Sequence, residues 1–210
     1  MCSSDLRRVS DRVALTFDAE HPDRAWCPPA NAERILDALA AAGARATFFV
    51  QGRWAEAYPD VARRIADDGH VVGSHSHFHA KMPLLTDVGL IDDLTAARAA
   101  IERTTGRDPR PWFRCPWGAG DDDPRVLGAI AAEGYRHVGW HVVVDDWEPD
   151  RTGAAIADDV VTGVEAHGDG AIVLLHAWPG ATAEALPAIL HALRRHGVVT
   201  ATVDEIPELP

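Results

Sequence analysis

Arg12-Val13-Ala14-Leu15-Thr16-Phe17-Asp18 and Ala46-Thr47-Phe48-Phe49-Val50 are two short apolar runs with β-type composition. Between them lies a helical pattern over residues 31–42. Its Ile35, Leu36, Leu39 and Ala42 share one face, and Gly43 is its stop signal. This strand–helix–strand unit sets the pattern for the rest of the chain. Further strands are predicted over 70–74, 112–116, 137–144, 171–176 and 198–203, and further helices over 58–68, 87–105, 123–133, 153–166 and 182–196. Seven strands alternating with six helices imply parallel strands joined by helical crossovers. Many of these strands are apolar on both faces, as parallel strands covered by helices should be. Either a barrel or an open doubly wound sheet satisfies the pattern. No G-x-G-x-x-G or G-x-x-x-x-G-K-[ST] follows the first strand, so the nucleotide-binding versions lose ground. With no repeat, low-complexity tract or linker, a single catalytic domain over residues 1–210 is expected.

Composition narrows the function. The chain is 47% hydrophobic and 25% charged, an ordinary globular mixture that excludes disorder, collagen and coiled coil. It carries 20 basic against 32 acidic residues, a net charge of −12, which repels phosphate backbones and argues against nucleic acid as a partner. No apolar run approaches the roughly 18 residues of a membrane-spanning helix, so no membrane partner is expected. Cys2, Cys27 and Cys115 make no disulfide framework, and the first residues show no apolar signal segment. A cytoplasmic location is the resulting expectation.

Unusual side chains collect at the C-terminal ends of the strands, where α/β folds carry their sites. Asp18, Glu20 and His21 follow the first strand, and His75, His77 and His79 follow the third. Arg114, Cys115, Pro116 and Trp117 end the fourth, Asp145, Asp146 and Trp147 the fifth, and His176 and Trp178 the sixth. His75 and His79, at i and i+4, lie on one face of a helical turn and suit a metal. A third ligand is needed, commonly a carboxylate in a hydrolytic site. Asp18 and Glu20 are the candidates, ahead of Asp145 and Asp146. Two carboxylates at one strand end allow one to hold the metal and the other to act as base. His176, from a distant strand end, suits a general acid.

These residues resemble the motifs of the polysaccharide deacetylase (NodB-homology, carbohydrate esterase family 4) proteins, from Arg12 to about Val203. Thr16-Phe17-Asp18-Ala19-Glu20 resembles T-F-D-D-G, and His75-Ser76-His77-Phe78-His79 resembles H-[ST]-x-x-H. Arg114-Cys115-Pro116-Trp117-Gly118, Asp146-Trp147 and Leu174-Leu175-His176 resemble the remaining three in order, and Ala46-Thr47-Phe48-Phe49 matches the family's second strand. The resemblance implies a distorted (β/α)7-type barrel and a metal-dependent N-deacetylase. Asp18 would be the base, Arg114 would orient it, and His75 and His79 would bind Zn²⁺ or another divalent cation such as Co²⁺. His176 would be the acid, tuned by Asp146. A backbone N–H near Trp117 would hold the oxyanion, and Pro116, Trp117, Trp147 and Trp178 would contact substrate.

One departure stands out. The family's second aspartate is a metal ligand, and Ala19 occupies that position. Glu20 is the expected replacement, since residues two apart on an extended backbone point to one side; His21 is a weaker fallback. The expected substrate is a small-molecule or oligosaccharide N-acyl compound. The competing expectations are an amidase or imidase acting on a small C–N substrate and a non-catalytic carbohydrate-binding relative.

Overall fold

The computed structural model describes residues 11–207 and Leu209; Cys2 and the N-terminal stretch read for a signal lie outside the described residues. Strand β1 (Arg12–Ala19) leads through α1 (Pro29–Ala42) to β2 (Thr47–Val50), then α2 (Gly52–Ala57), α3 (Pro59–Asp67) and β3 (Val71–Ser74). Next come α4 (Asp87–Thr105), β4 (Trp112–Phe113), α5 (Pro124–Ala132), β5 (Arg136–His137) and β6 (Val142–Val143). The chain closes with α6 (Gly153–His167), β7 (Ala171–His176), α7 (Gly180–Arg195) and β8 (Val199–Ala201). All strand pairings are parallel, in the order β5-β4-β3-β2-β1-β7-β6, with β8 beside the start of β1. This curled parallel sheet under helices is the distorted barrel that the family resemblance implies, and it decides between the two folds that the alternation allows. The stop signal at Gly43 holds, ending α1 in the left-handed conformation, and Gly106 ends α4 in the same way.

The centre of the sheet explains the double-sided apolar strands. Val13, Leu15, Phe17 and Ala19 of β1 join Ile35, Leu36 and Leu39 of α1 in the outer core, between sheet and helices. Ala14 faces the other way, into a smaller inner core with Phe49, Val138 and Ile172. The inner face of β1 therefore reads Ala14, Thr16, Asp18 and then Glu20, growing more polar toward the C-terminal end.

The structure departs from the sequence reading in two places. The strand expected over 137–144 is two strands, β5 on one edge of the sheet and β6 on the other, with Gly139-Trp140-His141 crossing between them. The barrel is thus held open along this seam, and eight short strands replace seven. The seam leaves backbone carbonyls without a strand partner, and Arg114 supplies donors. Its Nε donates to the Val138 carbonyl at 3.2 Å and its Nη2 to the Gly139 carbonyl at 3.0 Å. The second departure is α2, which lies where no helix was expected. Gly52 opens it, a poor helix former kept because the His77 ring packs against its Cα.

Replacing Arg114 by methionine should cost about 3–5 kcal/mol, because it strands a buried carboxylate and buried carbonyls together. Urea denaturation of Arg114→Met against the unaltered protein measures it.

Candidate active site

The alternation of β1 places the two carboxylates. Asp18 and Glu20 point to the inner side, both 3% exposed, while Ala19 between them belongs to the outer core. The missing carboxylate at position 19 therefore leaves the inner face intact, with Glu20 standing there instead.

The loop after β3 turns back on itself through left-handed Ser76 (φ 61°) and His79 (φ 58°). Asp93 fixes the turn by accepting from the backbone N–H of His77 at 2.9 Å and of Phe78 at 3.1 Å. The Ser76 hydroxyl accepts from the His79 N–H at 2.9 Å. This curl brings His75 and His79 together and sends His77 outward, against Gly52.

His75 Nδ1 donates to the Arg114 carbonyl at 2.9 Å, since a carbonyl can only accept. Its Nε2 lone pair is then aimed between Asp18 Oδ2 at 3.5 Å and Glu20 Oε2 at 3.3 Å. His79 Nε2 contacts the same Glu20 Oε2, and His21 Nε2 lies 3.0 Å from Glu20 Oε1. Among the described residues, ligand atoms of Glu20, His21 and His79 all lie within 4.8 Å of one another. This group shares Glu20 and His79 with the expected trio and has His21 where His75 was expected.

Burial opposes ionisation of Glu20, but its contacts with His21, His75 and His79 outweigh that and hold its carboxyl well below the usual range. Burial drives His79 toward the neutral form against the pull of Glu20. In His75 the order reverses: burial disfavours charge, but Asp18 and Glu20 raise its pKa. An ionised carboxylate with buried imidazoles is a donor set that fits a borderline divalent cation. Glu20, His75 and His79, with His21 adjoining, are the residues that could hold one.

Arg114, fully buried, donates from Nη1 to Asp18 Oδ1 at 2.9 Å and to the Thr16 hydroxyl at 2.8 Å. Across the cleft, His176 Nδ1 pairs with Asp146 Oδ1 at 2.7 Å. The other Asp146 oxygen accepts from the His176 N–H at 2.8 Å and the Thr182 hydroxyl at 2.6 Å. His176 Nε2 lies 3.9 Å from Glu20 Oε1. Burial disfavours the imidazolium, yet Asp146, with Glu20 and Asp18 behind it, raises His176 to about 9.

These groups border a cleft of about 390 Å³ walled by five of the chain's seven tryptophans. Trp117, Trp147 and Trp178 were expected. Trp26, on the loop after β1, and Trp140, in the seam, were missed because neither adjoins a motif. Trp178 does more than pack: its Nε1 donates to Glu20 Oε1 at 3.2 Å. Trp117 stands in a left-handed turn (φ 62°), with its Nε1 donating to the His79 carbonyl at 3.2 Å. Pro116 does not border the cleft, contrary to expectation. It is buried and opens the turn that carries Trp117. Asp145 is exposed and stays out of the site, and Cys27 on the loop after β1 is buried.

A parallel sheet whose strand ends gather carboxylates, imidazoles and an indole-walled cleft defines a hydrolase of the metal-assisted kind. The polysaccharide deacetylase family model matches residues 7–138, more than half of the chain. This protein belongs to that family. It is 29% identical over 195 residues to peptidoglycan-N-acetylmuramic acid deacetylase PdaA of Bacillus subtilis, covering 92% of this chain and 70% of that protein. It is 31% identical over 200 residues to peptidoglycan-N-acetylglucosamine deacetylase PgdA of Listeria monocytogenes, covering 95% of this chain but 39% of the relative. Among solved structures, a family 4 carbohydrate esterase from Streptomyces lividans in complex with acetate superposes with a TM-score of 0.79 at 30% identity, covering 91% of this chain and 92% of that one. The Bacillus anthracis protein BA3943, described as a family pseudoenzyme, superposes with a TM-score of 0.82 at 28% identity, covering 95% and 66%. Overall likeness therefore does not separate active from inactive members, and the site residues must.

The His176–Asp146 pair gives a pH prediction. Its folded pKa of about 9 lies above the ordinary 6.5, so its contribution to the stability of the metal-free protein is complete below 6.5 and fades as pH rises through about 9. Asp146→Asn should flatten this loss, as read by denaturation midpoints between those pH values.

Proposed function

We propose that this protein is a hydrolase that requires a divalent cation, Zn²⁺ by preference with Co²⁺ as a working substitute, and removes acetyl groups from N-acetylated hexosamines of a glycan. The observation that carries the reading is the pairing of Asp18, gripped by buried Arg114, with the Glu20–histidine cluster on the same inner face. The names of the peptidoglycan deacetylase relatives favour a glycan, and the tryptophan-walled cleft suits the apolar faces of sugar rings.

When bound, the cation supplies the Lewis acidity that polarises an acyl carbonyl and makes water a better nucleophile. The chain's own residues supply the rest. Arg114 orients Asp18 through its Nη1 hydrogen bond, and Asp18 takes the proton of the attacking water. The backbone N–H at Trp117, in its turn at the rim of the cleft, is the donor for negative charge on the acyl oxygen. His176, kept protonated by Asp146, gives its proton to the departing amine. The indoles exclude water and hold the ring in position.

Acetate release from N-acetylated chitooligosaccharides and from peptidoglycan, measured with added Zn²⁺ or Co²⁺, tests this directly. Metal uptake without acetate release from any N-acetyl sugar would leave a small-molecule amidase as the better reading, and no uptake would leave a binding protein. Asp18→Asn should retain metal and lose at least about a hundredfold in kcat, the low end of a general base's contribution. Metal content should fall in both Glu20→Ala and His75→Ala. Loss in His75→Ala alone would remove Glu20 from the ligand set.

A further inference from the structure

We propose that His21 is itself a ligand of the cation, adding a fourth side chain to Glu20, His75 and His79. The inference rests on the metal-dependent reading above and goes beyond its ligand set. The His21 ring is 6% exposed and sits edge-on to His79, with ring centroids 4.6 Å apart. A His21 ring nitrogen, a Glu20 oxygen and a His79 nitrogen all lie within 4.8 Å of one another, and His21 Nε2 is 3.0 Å from Glu20 Oε1. Bonds of about 2.0–2.2 Å to nitrogen and oxygen put two ligands of one ion at most roughly 4 Å apart. Small side-chain movements therefore close this group on an ion.

The backbone is built to hold His21 there. Its φ of 60° is a conformation that a histidine adopts only at a cost, and His79 shares it at 58°. Such strain persists where the surroundings over-determine it, and it collects at ligand sites. Gln51, 3% exposed, is the clamp: its Oε1 accepts from the His21 N–H at 2.9 Å, and its Nε2 donates to the His77 carbonyl at 3.2 Å. The Gln51 backbone N–H in turn binds the Ala19 carbonyl at 2.9 Å. One side chain thus ties the loop carrying His21 to the loop carrying His79.

The competing role for His21 is a plain hydrogen-bond donor to Glu20. Trp178 also donates there, its indole N–H 3.2 Å from the same Oε1, so Glu20 keeps a donor when the His21 lone pair turns to an ion. A fourth protein ligand tightens the hold on the ion and leaves fewer positions for water.

The test uses the metal-free full chain with Zn²⁺ and Co²⁺. His21→Gly and His21→Asn both tolerate the left-handed backbone, so the loop is preserved. Each should weaken Zn²⁺ binding in chelator competition by more than the roughly 10–100-fold that follows loss of an outer partner. Each should also shift the visible bands of bound Co²⁺ in position and intensity. In the unaltered protein, Zn²⁺ should move the ¹⁵N resonance of the His21 ring Nε2 together with that of His79. Weaker binding with unchanged Co²⁺ bands, or a His21 resonance that does not move, would make His21 a donor only and overturn the proposal. Failure of the unaltered protein to take up either metal would overturn the metal site as a whole. Uptake without acetate release would fail the deacetylase reading alone, while the spectra still decide the role of His21.

Discussion

The buried guanidinium of Arg114 is the constraint on which the architecture turns. Burial lowers its pKa, and Asp18 beside it pulls the other way, so the two charges survive burial because they are paired. The same group donates to the carbonyls of Val138 and Gly139, at the seam where the sheet fails to close. It also lies over the Phe49 ring, 4.1 Å from guanidinium carbon to centroid. A planar fork of five donors can serve a carboxylate, a hydroxyl and two carbonyls at once; a lysine ammonium cannot. The open seam and the anchored Asp18 are therefore one feature, and the barrel could not simply zip shut there without taking the partners that Arg114 uses.

From this point the site follows by short steps. The Arg114 carbonyl fixes the tautomer of His75, so the residue that grips Asp18 also aims an imidazole. The period of two along β1 puts Glu20 above Asp18, within reach of His75, His79 and His21. On the far side, Asp146 uses both oxygens to lock His176, with Thr182 of α7 satisfying one of them. Glu20 is pulled toward ionisation on one side while the His176 imidazole is held charged on the other. Two titratable groups facing one cleft are thus pushed in opposite directions by their surroundings.

Much of this was legible in the chain, for identifiable reasons. Alternating apolar runs and helical faces report burial, and burial is what periodicity measures, so the parallel sheet under helices followed. Strand ends are fixed by the same pattern, which is why Asp18, His75, Arg114 and His176 could be picked out. The break at Gly139-Trp140-His141 was hidden because it is held by Arg114, 25 residues away from Gly139, and not by local preference. Helix α2 was hidden because its opening glycine answers to a tertiary contact with His77. Trp26 and Trp140 escaped because a cleft wall is a property of folded loops. Pro116 was misjudged because it belongs to a motif for its turn and not for contact with the cleft.

The Ala19–Glu20 exchange shows what a motif stands for physically. A short aspartate at position 19 and a longer glutamate at position 20 start from opposite faces of the strand, so the replacement is not a simple shift of one residue. Glu20 works here because the alternation of β1 runs on one residue past the strand's end at Ala19, and the left-handed turn at His21 follows directly. The bend is secured by Gln51, which follows β2, the neighbour of β1 in the sheet. The carboxylate at position 20 and the strained histidine at position 21 are thus mechanically one unit. A change that relaxes the backbone at His21 must also move Glu20, which makes this corner of the site less tolerant of substitution than the alanine at position 19 alone would imply.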